Sequence, residues 1–435
     1  MDYRSFILQN PWRAGGQQIQ DAYVKRSIFT EIMDDISKPE ITILTGSRQV
    51  GKTTLLKAAI SELLDDNVPP EAIFYFNLDD SNLFSYFDQY AAFIDFILSE
   101  YKGHAYVFID EIQRLESPGL FLKLIYDLNL KMKIVVSGSS SLELKAKTVE
   151  HLTGRKHVFE LFPFSFEEYL RFHSKTYYFS RSIELLRHYH HEELNSMLHN
   201  FILYGGYPKP ILAHTRAEKI IELKDIYDSY IQKDVKDYLK IENINGYNKL
   251  VNALALQVGN LINYNELSLV AGLNIATVRK YMDCLEGTYV FKRISPWFSN
   301  ARKEISKAPK VYGYDTGLMN YITQNQEDDL QNKGNIQENF VCSELMKKGK
   351  DPSFWRNSSG AEVDFVVNTI PIEIKATALK KPTLSKSFFS YCRKYQPEYG
   401  LLFNQVLFAQ REIDPNMVHF FPLWAVPKVI DQFLM

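Results

Sequence analysis

The sequence has little cysteine and no long run of apolar residues. Its three cysteines, Cys284, Cys342 and Cys392, have no paired spacing, which argues against a disulfide framework and against a Cys-x-x-Cys metal site. No apolar run is long enough to cross a bilayer, and the first residues lack the charged-then-apolar layout of a signal peptide. We therefore expect a cytoplasmic protein with no membrane partner.

The charge balance shows almost no excess of one sign. The chain has 50 Lys and Arg residues against 52 Asp and Glu residues, a formal net charge of −2. This argues against a uniformly basic surface for nucleic acid but leaves a local basic groove open. The 435 residues are 46% hydrophobic and 23% charged, so the chain can bury sizeable cores. Its length predicts about two to four domains.

A glycine-containing loop follows the first apolar run. Residues 46–54 fit the phosphate-loop pattern G-x-x-x-x-G-K-[ST], between a strand-like run and a helix-like run. The glycines let backbone amides turn toward phosphates, and the following helix places its positive end beneath them. Lys52 is expected to contact the β- and γ-phosphates, and the Thr53 hydroxyl to hold Mg²⁺. The predicted nucleotide-binding residues of the loop are Gly46, Ser47, Arg48, Gln49, Val50, Gly51, Lys52, Thr53 and Thr54.

Two carboxylates end the apolar run at 105–111. Open α/β sheets bind ligands at the carboxyl ends of their strands, so Asp110 is predicted to join the Mg²⁺ shell, directly or through water. Glu111 is predicted to polarise the attacking water as a general base. The alternative is an acidic strand end that only faces solvent.

Three further candidates follow the next strands. Ser137 and Ser139, at the end of the fourth strand, could sense the γ-phosphate through the attacking water, or could form an ordinary turn. Arg155, before a predicted fifth strand, could act as an arginine finger, in cis or toward a neighbouring subunit. A surface ion pair is the alternative for Arg155.

Alternating strands and helices predict a doubly wound α/β domain over residues 1–162. The strand that ends in Asp110, with polar residues at the end of the next strand, indicates the additional-strand class of NTPases. The motifs at 46–54, 108–115, 137–140 and 152–155 resemble the AAA-type ATPases of a widespread prokaryotic family. That resemblance implies ATP and Mg²⁺ as cofactors and ATP hydrolysis, and it leaves a homo-oligomer open. The chain shows no second-sensor arginine in a lid, so the resemblance does not extend to the usual ring assembly.

A helix-rich linker is predicted over 163–240 and a winged helix over 241–305. The stretch from 263 to 281 has the pattern of a helix, a Gly-containing turn and a second helix, and a strand-like run follows it. On the second helix, Thr277, Arg279 and Lys280 could contact DNA. The alternative is a winged helix used only for domain packing or protein contacts.

Residues 306–435 are predicted to form a second α/β domain. Glu338 lies on a predicted helix and Asp364 on a strand, and the next strand carries Glu373 and Lys375 on one face. This layout resembles the PD-(D/E)XK nuclease core, a restriction-endonuclease-like fold. The resemblance implies that Glu338, Asp364 and Glu373 hold Mg²⁺. It also implies that Lys375 orients or deprotonates the attacking water.

These expectations combine into an ATP-hydrolysing ATPase that acts on DNA and carries a metal-dependent nuclease domain. The alternative is an ATP-gated signalling or protein-interaction ATPase whose nuclease-like fold is inactive, because such folds are reused as binding modules. A third reading is an ATPase whose nuclease fold only binds DNA. DNA-stimulated ATP hydrolysis would favour the first.

Overall fold

The computed structural model describes residues 3–15, 24–138, 152–229, 243–297, 308–325, 334–357, 359–413 and 416–434. They fall into two units, Met1–Phe162 and Pro163–Met435. Each unit has its own β-sheet and its own hydrophobic core. A search of the described residues finds no helix that is both long and apolar enough to cross a membrane.

The first unit is built on a five-stranded parallel sheet. The first strand is buried at all six positions, as expected of a strand covered on both faces. The strands are β1 Ile41–Gly46, β2 Ile73–Asn77, β3 Ala105–Asp110, β4 Met132–Gly138 and β5 Lys156–Leu161. The helices are α1 Tyr3–Gln9, α2 Phe29–Ile36, α3 Lys52–Asp65, α4 Tyr90–Glu100 and α5 Pro118–Asp127.

The strand order in this sheet is β2-β3-β4-β1-β5, and every neighbouring pair is parallel. The strand β4 lies between β1 and β3, which is the additional-strand arrangement that the sequence predicts. All five carboxyl ends therefore meet at one edge of the sheet. That edge brings together the loop after β1 and the polar ends of β3 and β4.

The free side of the edge strand β2 is covered by side chains from the N-terminal segment. The Asn10 amide donates to the Tyr75 carbonyl at 2.8 Å and accepts from the Tyr75 N–H at 2.7 Å. The Trp12 indole N–H donates to the Ile73 carbonyl at 3.3 Å. These side chains satisfy backbone groups that an edge strand would otherwise offer to another chain.

A buried ion pair lies at the opposite, amino-terminal edge of this sheet. The Asp35 carboxylate accepts from the Thr42 hydroxyl at 2.6 Å, pairs with His157 Nδ1 at 2.6 Å and lies 3.6 Å from Lys133 Nζ. Burial alone would raise the pKa of Asp35, but hydrogen bonds from Thr42 and His157 and the charge of Lys133 hold it below its usual value. The charged form of Asp35 is therefore part of the folded state.

The second unit begins with helices and ends with a six-stranded mixed sheet. Its first helix begins at a capping box formed by Ser165 and Glu168. Its helices are α6 Phe166–Phe172, α7 Tyr177–Ser180, α8 Ile183–Tyr204, α9 Pro208–Leu212, α10 Arg216–Ser229, α11 Ile244–Leu256, α12 Tyr264–Ala271, α13 Ile275–Gly287, α14 Thr316–Ile322, α15 Gly334–Lys347, α16 Lys386–Tyr395 and α17 Val426–Phe433. Its strands are β6 Phe291–Ile294, β7 Lys310–Gly313, β8 Ser353–Arg356, β9 Glu362–Val367, β10 Ile370–Ile374, β11 Tyr399–Asn404, β12 Ala409–Ile413 and β13 Asn416–Pro422.

Helices α11, α12 and α13 are followed by an antiparallel pair, β6 with β7. The helix, turn and helix predicted from the sequence are present, and Gly272, with φ 64°, ends α12. The β6–β7 pair joins residues on both sides of the predicted boundary at 305 and 306. The structure therefore does not separate the predicted winged-helix and C-terminal domains at that point.

The mixed sheet has the strand order β12-β13-β11-β10-β9-β8. Strands β8, β9 and β10 form an antiparallel meander, whereas β10 and β11 are parallel. Helix α15 precedes the meander, and α16 connects β10 to β11. Glu338 lies on α15, Asp364 on β9 and Glu373 on β10. These are the three acidic residues that the sequence predicts as metal ligands.

Candidate functional site

The loop between β1 and α3 has a backbone that requires glycine at its first position. Gly46 has a φ of 154°, and a Cβ there would lie 2.1 Å from the Leu161 carbonyl oxygen. Gly51, with φ 95°, directly precedes α3. The first glycine thus lets β5 approach the loop, and the second lets the chain turn into the helix whose N-terminus faces the loop.

Lys52 lies in the first turn of α3 and is 5% exposed. Its ammonium donates to the Gly46 carbonyl at 3.0 Å and to the Ser47 carbonyl at 2.8 Å. Both acceptors are backbone carbonyls of the loop, and the two bonds hold the ammonium inside the loop. A phosphate group bound in the loop would meet this charge and the helix N-terminus together.

Asp110, at the end of β3, is fully buried among hydroxyl groups. Its carboxylate accepts from the Thr53 hydroxyl at 2.5 Å, from the Tyr75 hydroxyl at 3.0 Å and from Ser137. The adjacent oxygens of Thr53 and Asp110 are the hard donors that Mg²⁺ prefers. The predicted residues Thr53, Asp110 and Ser137 are therefore brought together, and the donor set fits the ion that the sequence predicts.

Tyr75 is a residue of this site that the sequence analysis missed. It lies in the middle of β2, which runs parallel to β3 in the register that pairs Asn77 with Asp110. Burial, followed by the charge of Asp110, raises the pKa of the Tyr75 phenol, so the hydroxyl remains a donor. The only signal in the sequence was a hydroxyl-bearing side chain inside an otherwise apolar strand. Linking that side chain to Asp110 required knowing that β2 pairs with β3.

Glu111 directly follows β3 in a left-handed conformation, with φ 58°. Its N–H donates to the Ser137 hydroxyl at 3.3 Å, and its carboxylate accepts from the buried amide of Gln113. Burial raises the pKa of Glu111, and the nearby charge of Lys52 opposes that effect. A raised pKa makes this carboxylate a better proton acceptor near neutral pH.

Arg155 does not lie at the nucleotide site. It directly precedes β5, at the amino-terminal edge of the sheet, where its carbonyl accepts from the N–H of Ile41, the first residue of β1. Its guanidinium pairs with Asp127 at 2.7 Å. This position is incompatible with an arginine finger acting in cis, because the loop lies at the other end of the strands. A role toward a neighbouring subunit stays a prediction, and Ser139 lies outside the described residues.

In the second unit, Asp364 lies on β9, Glu373 on β10 and Glu338 on α15. Asp364 accepts from the Ile374 N–H at 2.8 Å, and Glu338 accepts from the Tyr312 hydroxyl at 3.2 Å. Burial, with the charge of Glu338 next, raises the pKa of Asp364 to about 8. These carboxyl groups thus act on one another through space, and we call Glu338, Asp364 and Glu373 the carboxylate cluster.

Lysines accompany the carboxylate cluster. Lys375 lies 2.5 Å from one oxygen of Glu373, and the Ser385 hydroxyl donates to the other oxygen at 2.9 Å. Lys310, which is buried, lies 2.5 Å from Glu362. The sequence predicted Lys375 but missed Lys310, because Lys310 comes from β7, far away in the chain.

The carboxylate cluster does not fit a metal ion as it is arranged. Within the described ranges, no group of three or more His, Cys, Asp or Glu side chains is placed to hold one metal ion. Glu373 is already engaged on both oxygens, by Lys375 and Ser385. The structure therefore does not bring Glu338, Asp364 and Glu373 together as a ligand set.

Two of the predicted DNA-contacting residues are exposed on α13, namely Arg279 and Lys280, whereas Thr277 is half-buried. The Arg279 guanidinium lies 4.2 Å from the centre of the Tyr264 ring. On the neighbouring strand β6, Arg293 pairs with Glu286 at 2.6 Å. The basic surface that remains available on this element is therefore small.

Comparison with protein families agrees with this geometry. Residues 38–170 match the model of a family described as AAA domain. The first unit contains an AAA-type P-loop domain. Residues 195–329 and 333–426 match two further models, each described as a domain of unknown function (DUF8612 and DUF4143). In this AAA-type domain, the predicted phosphate loop and Asp110 come together in the structure.

Similar proteins occur in both archaea and bacteria. An uncharacterized protein of Methanocaldococcus jannaschii is 28% identical over 341 residues, which cover 75% of this chain and 72% of the relative. One of Haemophilus influenzae is 24% identical over 338 residues, covering 75% and 79%. Among solved structures, a Walker-type ATPase of Pyrococcus abyssi has a TM-score of 0.47 and 13% identity, covering 70% of this chain and 97% of that one.

Proposed function

We propose that this protein hydrolyses ATP in its first unit and uses the reaction to act on nucleic acid, with DNA as the expected partner. The observation that carries the first half is the convergence of Lys52, Thr53 and Asp110 at one edge of a parallel sheet. Phosphate-binding loops of AAA-type domains place the same kinds of group around ATP.

Each residue has a definite task in this proposal. Lys52 exchanges the two loop carbonyls for phosphate oxygens, and Thr53 and Asp110 would hold Mg²⁺, which offsets phosphate charge. Glu111 accepts a proton from water while the water oxygen bonds to the γ-phosphorus and ADP leaves with the electrons of the broken bond. Gln113 orients Glu111 by donating to its carboxylate.

The nucleic-acid half of the proposal rests on the helices and strand pair at 243–313. Arg279 and Lys280 are exposed on α13, where a helix of a helix-turn-helix element approaches DNA. Two cations provide weak, salt-dependent phosphate contact. The proposal therefore predicts DNA binding that weakens by only about tenfold between 50 and 200 mM salt.

A second candidate function is an ATP-gated interaction protein whose nuclease-like fold is inactive. The observation that favours it is the pairing of Lys375 with Glu373 and of Lys310 with Glu362, which already neutralises carboxylates near a would-be metal site. We derive no cleavage step from this arrangement. A metal-dependent nuclease stays a prediction from the resemblance.

The test measures ATP hydrolysis by the full chain with and without DNA. Lys52→Ala should lower the hydrolysis rate by roughly a hundredfold or more. DNA should stimulate the wild type but not an Arg279→Ala/Lys280→Ala double variant. If DNA does not change the rate of ATP hydrolysis, and the oligomeric state changes with nucleotide, the second candidate is favoured. In the same samples, Mg²⁺-dependent DNA cutting that Asp364→Ala removes would establish the nuclease.

A further inference from the structure

A cavity of about 450 Å³ lies in the helical part of the second unit, between α6, the end of α8 and the start of α10. Its size is within the usual range for small-molecule sites. Neither the phosphate loop nor the carboxylate cluster contributes to its wall. The lining residues that matter chemically are Tyr169, His173, Asn200, Tyr204, His214 and Lys219.

Lys219 is a half-buried cation at this cavity. Its ammonium donates to the Pro210 carbonyl at 2.7 Å and lies 5.4 Å from the centre of the Tyr204 ring. In the part of the chain that the structure describes, no carboxylate forms an ion pair with it, and burial lowers its pKa. Two other lysines of the same unit differ, because Lys347 pairs with Glu344 at 3.2 Å and Lys348 with Glu167 at 2.6 Å.

The rest of the cavity wall also lacks negative charge. None of the described lining residues is Asp or Glu. Glu218, which directly precedes Lys219 in the sequence, does not pair with it. The Glu218 carboxylate instead accepts hydrogen bonds from the backbone N–H groups of His214 and Thr215, each at 2.9 Å. A half-buried ammonium with only a carbonyl and a ring as partners favours an anion that comes from outside the chain.

Aromatic side chains form one wall of the cavity. The His173 ring lies 4.5 Å from the Tyr169 ring and 5.0 Å from the Phe172 ring, measured between centroids, and Tyr204 lies beside Lys219. A simple inorganic anion would leave this apolar surface exposed to water. A ligand that joins an anion to a flat ring would cover it, since rings of this kind stack well against nucleobases.

We propose that this cavity binds a nucleoside phosphate, with the phosphate at Lys219 and the base against the aromatic wall. The same chemistry is presented by a free mononucleotide and by the 5′-phosphorylated end of a single strand. Either source gives the helical region of the second unit a nucleotide site of its own, in addition to the phosphate loop of the first.

The experiment uses the full chain with its phosphate loop disabled by Lys52→Ala, because a nucleotide analogue added to fill the loop would also compete for the cavity. Isothermal titration then measures the binding of 5′-AMP and of 5′-phosphorylated pentathymidylate. We expect saturable binding of at least one probe, weakened about tenfold or more in Lys219→Met, because a charge-assisted hydrogen bond is lost. Lys224→Met changes an exposed lysine on the same helix and should leave the affinity unchanged.

Controls separate a lost site from a lost fold. Lys219→Arg keeps the charge and should retain the affinity within about threefold, at an unchanged melting temperature. Preference for AMP would identify a free nucleotide, and preference for the oligonucleotide a strand end, and both support the proposal. The proposal is overturned if neither probe saturates, if Lys219→Met binds as tightly as the wild type, or if inorganic phosphate binds as tightly as AMP.

Discussion

Asp110 in the first unit and Glu373 in the carboxylate cluster of the second are both buried acidic side chains, yet their partners differ in charge. Around Asp110 the partners are the hydroxyl groups of Thr53, Tyr75 and Ser137, which are neutral. In the cluster, the partner of Glu373 is a lysine at 2.5 Å. The hydroxyl groups do not neutralise the negative charge of Asp110, so a cation can still bind to it. The charge of Glu373 is already paired with that of Lys375.

The lysines differ in the same sense. Lys52 donates to two backbone carbonyls of the phosphate loop. Lys375 and Lys310 are each held by a carboxylate. The comparison supports the proposed nucleotide site in the first unit and gives no support to a metal site at the carboxylate cluster of the second.

The largest expected effect that sharpens this contrast is on ATP hydrolysis. Lys52→Ala removes the buried cation of the phosphate loop, and kcat should fall by roughly a hundredfold or more. Lys57→Ala, on the same helix but outside the loop, is the matched control and should keep its kcat. A steady-state assay that found equal rates for Lys52→Ala and Lys57→Ala would place the reaction elsewhere.

The next effect is on stability and concerns the two lysines. Lys375→Met leaves Glu373, whose side chain is 4% exposed, without its charged partner, which should cost about 2 kcal/mol of unfolding free energy. Lys310→Met should cost less, about 0–1 kcal/mol, because the Glu362 side chain is 28% exposed and still lies 3.7 Å from Arg356. Urea unfolding of both variants measures the difference. Equal losses would show that Lys375 is not the principal counter-charge.

The two units should respond to pH in opposite directions. The pKa of Asp364 is about 8 in the folded chain, above its unfolded value of about 3.9, so the folded state binds more protons between these limits. Its contribution to stability is therefore full below about pH 4 and is lost as the pH rises toward 8, at up to roughly 1 kcal/mol per pH unit. Asp364→Asn should flatten the dependence of the urea midpoint on pH over this window.

Asp35, in the first unit, makes stability depend on pH in the opposite direction. Its pKa is held below the unfolded value, so its contribution is present above the unfolded pKa and is lost as the pH falls through the folded one. Asp35→Asn should therefore reduce the acid sensitivity of the chain while Asp364→Asn does not. If both variants change the stability over the same pH range, the predicted opposite pH dependence of the two units is wrong.

The smallest expected effect concerns Tyr75. Tyr75→Phe removes one neutral donor from Asp110 without opening a cavity, which is worth about 1 kcal/mol. We expect the Mg²⁺ concentration for half-maximal ATP hydrolysis to shift by about fivefold, with kcat changed less. A fall in kcat at saturating Mg²⁺, with no change in the Mg²⁺ requirement, would mean that Tyr75 does not act through Asp110.

Local patterns in the sequence were enough to predict the phosphate loop, the strand that ends in Asp110 and the helices at 263–281. Each of these features is written in consecutive residues with a fixed spacing. Tyr75 was missed because it reaches Asp110 across the β2–β3 pair, and Lys310 because it reaches Glu362 from a different sheet. Only the fold creates these contacts. Arg155 was predicted near the nucleotide by its motif, although the parallel register of β5 with β1 places it at the other edge.

The measurement that tests the contrast most directly is the number of Mn²⁺ ions bound per chain, followed by the loss of the free-ion electron paramagnetic resonance signal. With AMPPCP present, we expect one bound Mn²⁺ that Asp110→Asn weakens and Asp364→Asn leaves unchanged. Without nucleotide, we expect no bound ion that depends on Asp364. A nucleotide-independent Mn²⁺ ion lost in Asp364→Asn would contradict the account, because the carboxylate cluster would then be a metal site that its lysines do not close.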